Sequence, residues 1–271
     1  MNTRPIPATG ETLPVIGCGT YLGFDRSPDR TAYQQLAGVL EALFAAGGVV
    51  LDSSPMYGRA EQSTGEVLTA SANRSQAFVA TKVWTRGRSA GIAQMEESMR
   101  LLGTPRIDLM QIHNLVDWRT HLTTLRAWQA EGRIRYVGIT HYTASAYDEV
   151  ESVLRTEKLD FLQINYSADE PQAERRLLPL ALERGIAVLI NRPFGGGGLL
   201  RRLRGRPLPD WATDIGCSNW PQVLLKFVLS HPAVTCAIPG SGNAVHMAEN
   251  AAAGSGPIPP PEFWHDRVRD L

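Results

Sequence analysis

Asp52, Tyr57, Lys82 and His113 each follow a short apolar run that reads as a β-strand. Together they suit one chemistry, delivery of a proton to a carbonyl oxygen while hydride reaches its carbon. The runs are 49–51, 77–81 and 107–112, and Tyr57 follows Asp52 across the turn Ser53-Ser54-Pro55-Met56. A free phenol, with a pKa of about 10, is a reluctant acid or base unless a positive neighbour favours its ionised form. Lys82 would supply that charge, Asp52 would pair with the ammonium and fix its direction, and His113 would hydrogen-bond the substrate oxygen. Taken singly, each residue has a plainer reading: an aspartate after a strand caps a helix, a tyrosine packs, a histidine is structural. It is the ordered set on three successive strand ends that carries the chemistry. Only Lys82, Lys158 and Lys226 among the 27 basic residues are lysine, so a chain that otherwise uses arginine places a compact ammonium at position 82.

The elements that must position this set recur every 25 to 30 residues. Candidate strands at 15–20, 49–52, 77–82, 107–113, 134–140, 161–165, 186–191 and 235–239 alternate with helix-like segments. Helical spacing of Tyr33, Leu36, Leu40 and Leu43 precedes the stop Gly47-Gly48, with Thr31 as the expected N-cap. A second helix is expected over 89–102, ending at Gly103, with Ile92, Met95, Met99 and Leu102 on one stripe. Eight βα repeats predict an α/β fold, a (β/α)8 TIM barrel over one domain, 1–271, whose strand C-termini converge on one mouth. Residues 6–13 turn at Thr9-Gly10 and predict a short N-terminal hairpin closing the barrel floor. Residues 192–220, with Gly195 to Gly198 and then Arg201, Arg202, Arg204 and Arg206, read as a long, mobile loop after strand 7, either solvated or a clamp over an anionic cofactor. A turn-rich tail starts at about 254, with a short helix expected over 262–271.

Composition narrows the partners. The formal net charge is zero, so no broad field draws the chain to nucleic acid or an anionic membrane. A small carbonyl ligand is the expected partner, and oligomeric state is left open. Cys18, Cys217 and Cys236 form an odd set without CxxC spacing, which argues against a disulfide framework and for a reducing compartment. Residues 1–7 lack the apolar stretch of a secretory signal and no run reaches the roughly 18 apolar residues of a membrane span. A cytoplasmic protein is expected. His, Asp and Glu show no metal-ligand spacing, which disfavours a barrel hydrolase or metal enzyme.

The chain resembles the aldo-keto reductase superfamily through Gly17-Cys18-Gly19-Thr20-Tyr21, the segment 51–58, Ala80-Thr81-Lys82-Val83-Trp84, Gln111-Ile112-His113-Asn114, Val137-Gly138-Ile139-Thr140, Gln163-Ile164-Asn165-Tyr166, Ile238-Pro239-Gly240-Ser241 and Ala248-Glu249-Asn250. The resemblance implies a barrel reductase of aldehydes or ketones, in which Asp52, Tyr57, Lys82 and His113 are the catalytic tetrad and Tyr57 is the proton donor. It implies NAD(P)H bound without a GxGxxG fingerprint. Gly19, Thr20 and Asp52 then count among the cofactor contacts, with Thr140, His141 and Gln163 near the carboxamide. Asn191, Arg192, Pro193, Phe194 and Gly195 come beside the nicotinamide and pyrophosphate, and Gly240, Ser241, His246, Glu249 and Asn250 around the adenosine. Tyr21, Trp84 and Asn114 are implied to shape the substrate mouth.

Three departures mark this chain. Thr140-His141 stands where many relatives have Ser-Asn, and Asn191 stands where many stack an aromatic on the nicotinamide, so the expectation is that Arg192 or Phe194 takes over that face or that stacking is weak. Gly240 and His246 replace the Lys and Arg that hold a 2′-phosphate in NADPH-preferring relatives. NADP(H) is still favoured, with Ser241, His246 and Arg201 or Arg202 as its expected partners, and NAD(H) stays open. Few residues follow the final barrel helix, which predicts an open pocket and broad activity over aldehydes of different size. The competing reading is a cofactor-binding regulatory or sensor protein of the same fold with little turnover.

Overall fold

The structure, a computed structural model, describes residues 1–71 and 74–271. Two short strands, β1 (Thr3–Pro5) and β2 (Thr12–Pro14), pair antiparallel as a hairpin. Eight parallel strands follow: β3 (Cys18–Gly19), β4 (Val50–Asp52), β5 (Phe78–Val83), β6 (Ile107–His113), β7 (Ile134–Thr140), β8 (Phe161–Asn165), β9 (Ala187–Asn191) and β10 (Val234–Ala237). The ring closes where Gly17 N donates to Ala237 O at 2.9 Å and Ala237 N donates to Val15 O at 2.9 Å. A closed sheet has no free edge, and its helices cover the outside: α1 (Arg30–Ala45), α2 (Ala60–Ala70), α3 (Arg88–Leu101), α4 (Trp118–Ala130), α5 (Tyr147–Thr156) and α6 (Leu177–Glu183). After β9 come α7 (Gly198–Arg202), α8 (Trp211–Asp214) and α9 (Trp220–Ser230), and α10 (Ala244–Ala252) follows β10.

Strand alternation divides the apolar residues into two cores. One face of each strand packs against the helix shell, as Leu51, Val79, Met110, Ile112, Val137 and Ile164 do. The other face fills the barrel interior with Val50, Phe78, Leu109, Tyr136, Phe161 and Leu189, and the hairpin adds Ile6 and Leu13 to that cluster. Above this apolar layer the same inward register carries Asp52, Lys82, Gln111, His113, Thr140 and Gln163, all buried. A Cβ on Gly138, between Tyr136 and Thr140 on the inward face of β7, would lie 3.0 Å from Phe161 O and 3.3 Å from Gln111 Cγ. Glycine there leaves the space that Gln111 occupies.

Three local expectations are corrected. The N-cap of α1 is Asp29, whose Oδ1 accepts from Ala32 N at 2.8 Å, and Thr31 lies inside the helix. Residues 192–220 are not one irregular loop, since they contain α7 and α8 with Leu199, Leu203 and Ala212 buried. The expected terminal helix is instead two 3₁₀ turns, Pro261–Trp264 and Val268–Asp270. Packing decides that segment, because Trp264 is buried edge-on to Trp211 and Phe227 and the Arg267 guanidinium lies 4.1 Å from the Phe263 ring.

Candidate active site

The inward layer at the strand ends is a continuous polar network centred on Asp52. Lys82 Nζ donates to Asp52 Oδ2 at 2.6 Å and to Ser53 O at 2.7 Å. The other carboxylate oxygen accepts from Gln111 Nε2 at 3.0 Å and from Gln163 Nε2 at 2.8 Å. Both ions lie in the barrel interior, with side-chain exposures of 0% for Lys82 and 3% for Asp52. At that depth an unpaired charge would be costly, and the four hydrogen bonds are what make the pair tolerable. Register explains the meeting: Asp52 is level with Ala80 on β5, and Lys82 sits one inward position further along.

Tyr57, on the turn after β4, reaches over this pair. Lys82 Nζ is 5.2 Å from the phenol ring centroid, and the His113 ring meets the phenol edge-on at 6.0 Å. Burial pushes the Tyr57 pKa up, while the charge and hydrogen bonding of Lys82 pull it down, and the net direction is upward. The sequence-based expectation was the reverse balance; desolvation outweighs the ammonium because the ring is enclosed. For Lys82 burial alone would lower the pKa, but Asp52, Tyr57 and Glu61 together raise it. Tyr57 is thus held as a phenol and Lys82 as an ammonium. Burial, then the charge of Lys82 and of His141, lowers the His113 pKa to about 3, so the imidazole is neutral. Its Nδ1 is 3.0 Å from Ser54 Oγ, which leaves Nε2 for another partner.

Around this centre lie the expected rim residues. Tyr21 stands with its ring 5.0 Å from Tyr57, and Trp84 lies 6.4 Å from His113. Both are largely exposed, at 57% and 41%, so they form walls of a mouth rather than core. Asn114 follows in left-handed backbone (φ 54°), donates its N–H to Thr140 O at 2.8 Å and keeps a buried Oδ1 without a partner. Gly19 and Thr20 back the site: Gly19 N donates to Pro239 O, and Thr20 Oγ1 donates to Ser53 Oγ at 2.9 Å.

Among the residues expected at the carboxamide, Thr140 Oγ1 donates to Gln163 Oε1 at 3.0 Å, so this pair is largely engaged with itself and with Asp52. His141 stacks on Tyr142 and its Nδ1 accepts from Tyr142 N at 3.0 Å. Asn191 Nδ2 donates to His141 O at 3.0 Å, and Asn191 Oδ1 is buried with no partner. The two residues expected beside the nicotinamide take different surroundings. The Arg192 guanidinium is 5.8 Å from the Tyr142 ring and 3.8 Å from Glu170, and Phe194 lines a separate cavity. Left-handed backbone at Arg192 (φ 50°) and Gly195 (φ 57°) turns the chain away after Asn191, with Pro193 buried between.

That separate cavity, of about 480 Å³, lies between the segment after β9 and the start of α10 and is lined by Phe194, Gly240, Ser241, His246, Glu249 and Asn250. All six were expected cofactor contacts. The same cavity is also lined by Arg204, Arg206 and Trp220. Arg202, one of the expected phosphate partners, is instead paired with Asp169 at 3.2 Å, and Arg201 does not line the cavity. A buried acceptor without a partner at Asn191 Oδ1 and, apart from it, a cavity lined by basic and apolar side chains suit a ligand that has an amide and an anionic heterocyclic group.

Sequence reasoning missed four contributors. Gln111 is two residues before His113, so strand alternation alone could have placed it inward. Ser53 and Ser54 serve Lys82 and His113 through turn geometry that no motif announces. Glu61 on α2 accepts from Thr81 Oγ1 at 2.5 Å and from Ser98 Oγ at 3.1 Å, and burial raises its pKa. Thr81 precedes Lys82, so this carboxyl braces β5 from the helix side. Among the described residues no group of His, Cys, Asp and Glu could hold a metal ion, no helix is long and apolar enough to cross a membrane, and all three cysteines are buried and unpaired.

Comparison with known proteins gives concordant matches. A model of the "Aldo/keto reductase family" matches residues 15–264. Methylglyoxal reductase YeaE of Escherichia coli (strain K12) is 29% identical over 262 residues, covering 93% of this chain and 89% of that protein. A crystal structure of an aldo/keto reductase from Klebsiella pneumoniae in complex with NADP and acetate superposes with a TM-score of 0.81 at 25% identity, covering 97% and 92% of the two chains. A Klebsiella pneumoniae aldo-keto reductase in complex with NADPH shares the fold, with a TM-score of 0.82 at 24% identity and coverage of 100% and 95%.

Proposed function

Since the chain belongs to the aldo/keto reductase family, we propose that its polar strand-end network carries out the proton half of that family's reaction, with Tyr57 as the acid. The protein is an NAD(P)H-dependent oxidoreductase that reduces aldehydes or ketones to alcohols, with NADP(H) the favoured cofactor. When bound, the reduced nicotinamide supplies the hydride; the chain supplies everything that the developing alkoxide needs.

One observation carries the assignment of roles: a phenol held neutral, 5.2 Å above a buried ammonium that is itself fixed by a carboxylate at 2.6 Å. A neutral phenol keeps its proton at pH 7 until the developing alkoxide, a much stronger base, takes it. The adjacent ammonium stabilises the phenolate left behind, so proton transfer and charge stabilisation come from one preorganised unit. Asp52 acts through Lys82, keeping it charged and aimed. With Nδ1 accepting from the Ser54 hydroxyl, neutral His113 would carry its proton on Nε2 and donate it to the carbonyl oxygen, orienting that oxygen toward Tyr57. Asn191 Oδ1, buried without a partner, would accept from the carboxamide of the nicotinamide, and the cavity lined by Ser241, His246 and Asn250 would hold the adenosine end. Tyr21 and Trp84 offer flat apolar walls to an aldehyde or ketone on the open side. Methylglyoxal, named for the Escherichia coli relative, is the first to try.

The reading takes residues 1–271 as one barrel domain working in a reducing, cytoplasmic compartment, which the three unpaired cysteines support. The test is to follow NADPH and NADH oxidation with methylglyoxal and a panel of aromatic and aliphatic aldehydes, for the wild type and Tyr57→Phe. Turnover that vanishes with the phenol while cofactor binding persists supports the assignment. Tight cofactor binding without turnover in the wild type would favour a sensor instead.

A further inference from the structure

We propose that Gln94 is a positioning residue for substrate selection: by holding the Trp84 backbone it fixes the aromatic wall beside His113 and so sets a preference for aldehydes that carry an aromatic ring. The proposal rests on the reductase reading above and deepens it by assigning the substrate class to a residue outside the strand-end site.

Trp84 follows directly on β5, two residues after Lys82, and its ring lies 6.4 Å from that of His113. At 41% exposure the side chain has little packing to fix it, so its direction depends on the backbone that carries it. One side chain of α3 holds that backbone at both polar groups. Trp84 N donates to Gln94 Oε1 at 2.6 Å, and Gln94 Nε2 donates to Trp84 O at 3.2 Å. A carboxamide that accepts from and donates to the same residue reproduces the pairing of a neighbouring strand. It extends the order of β5 past its last residue.

The next βα unit pins the rest of the connection. His121 Nε2 donates to Thr85 O at 2.8 Å, and Asp117 Oδ2 accepts from Gly87 N at 2.7 Å. His121 is fully buried and fits because residue 91 of α3 is glycine; a Cβ there would lie 2.4 Å from His121 Cε1. Asp117 takes left-handed backbone (φ 48°), and its carboxylate reaches the neighbouring loop instead of capping the backbone of α4. Trp84, Thr85 and Gly87 are thus tied to the segment that follows His113. The other wall is held differently: Tyr21 sits in a turn closed by its own backbone, where Gly23 N donates to Tyr21 O at 2.7 Å and Phe24 N to Thr20 O at 3.0 Å.

Loops at a barrel mouth are ordinarily its most mobile parts. A side-chain clamp on such a loop lowers the ordering cost when a flat ring settles against Trp84, and contact between two aromatic rings adds to the area they bury. A small aliphatic aldehyde has too little surface to use the wall.

Steady-state kinetics with 3-phenylpropanal and propanal isolate this contact, because the two share one aliphatic carbonyl and differ only in the ring. The wild type is compared with Gln94→Met, which keeps length and helix propensity but loses both hydrogen bonds, and with Gln94→Glu, Trp84→Ala and Gln94→Met/Trp84→Ala, with circular dichroism to verify folding. The wild type should favour 3-phenylpropanal, and Gln94→Met should lower that preference in kcat/KM about tenfold, chiefly through KM for the aromatic aldehyde. Gln94→Glu keeps the acceptor for Trp84 N and should recover part of the loss. Trp84→Ala should lower the preference at least as far, and adding Gln94→Met to it should then change nothing, because Gln94 acts through Trp84. A preference that survives in Gln94→Met, a double variant in which the two losses multiply, or an equal fall in kcat for both aldehydes overturns the proposal and leaves the reductase reading standing. So does a wild type without preference between the two aldehydes, whereas one that reduces no aldehyde at all removes the reading and the proposal together.

Discussion

On the inward register of β4, β5, β6 and β8 the polar side chains around Asp52 satisfy one another, whereas after β9 polar groups are left without a protein partner. Lys82, Asp52, Gln111 and Gln163 are buried and mutually hydrogen-bonded. Asn191 Oδ1 is buried without a partner, and Arg204 and Arg206 stand unpaired on the rim of a cavity. The first region is preorganised for chemistry: its dipoles are fixed by folding and need no rearrangement when charge develops. The second is built for binding, and its unmet hydrogen-bonding capacity is the affinity a ligand would recover. Changes in the first region should therefore alter rate and stability; changes in the second should alter ligand affinity and leave the fold intact.

The sharpest attempt to break this contrast is Tyr57→Phe. Carbonyl reduction should fall by about 10²- to 10⁴-fold, the range for loss of a positioned acid, while cofactor affinity measured by fluorescence titration stays within a few fold. A comparable loss of cofactor binding would show that the two regions are not separable. Next comes Asp52→Ala, which strands the Lys82 ammonium in the barrel interior. Urea unfolding should show a loss of about 3–5 kcal/mol, with part of it recovered in Asp52→Ala/Lys82→Met because no lone charge is then buried.

His113 adds a pH signature to the buried region. Its folded pKa, lowered to about 3 by burial and then by the charge of Lys82 and of His141, lies below the ordinary value of about 6.5. The unfolded chain then binds the extra proton first as pH falls. The stability contribution is complete above pH 6.5 and is lost progressively toward pH 3. Between pH 7 and pH 5 the wild type should lose about 2 kcal/mol more than His113→Gln; equal pH slopes in urea titrations would mean that the imidazole titrates normally. The smallest effect belongs to the binding region's periphery. Arg202→Ala removes an exposed pair with Asp169 and should change stability by less than about 1 kcal/mol. A larger thermal shift would show that α7 is structurally coupled to β8.

Much of the buried region was legible as pattern. A residue that ends an apolar strand in a βα repeat lands at the barrel mouth, so Asp52, Lys82 and His113 converge as their spacing predicts, and Tyr57 follows on a turn long enough to reach back. Gln111 obeys the same alternation and could have been read from it. The binding region was legible in its β10 half, where five expected residues, Gly240, Ser241, His246, Glu249 and Asn250, line one cavity. In its β9 half Phe194 lines the same cavity while the Arg192 guanidinium lies toward Tyr142 and Glu170; left-handed backbone at Arg192 and Gly195 sets that division, and composition does not report backbone handedness at a non-glycine residue. Arg202 and Arg204 are equivalent in sequence, and only the location of Asp169 separates the paired one from the free one.

By itself the sequence determined the eight βα units, the inward register of each strand and the four side chains brought together at the mouth, because period-two alternation and strand ends are local properties of the chain. Tertiary structure alone decided the sign of the Tyr57 shift, the neutrality of His113 and the division of the arginines between ion pairs and cavity. Each of these depends on desolvation or on which distant charge lies within a few ångströms, and neither quantity exists until the barrel has closed.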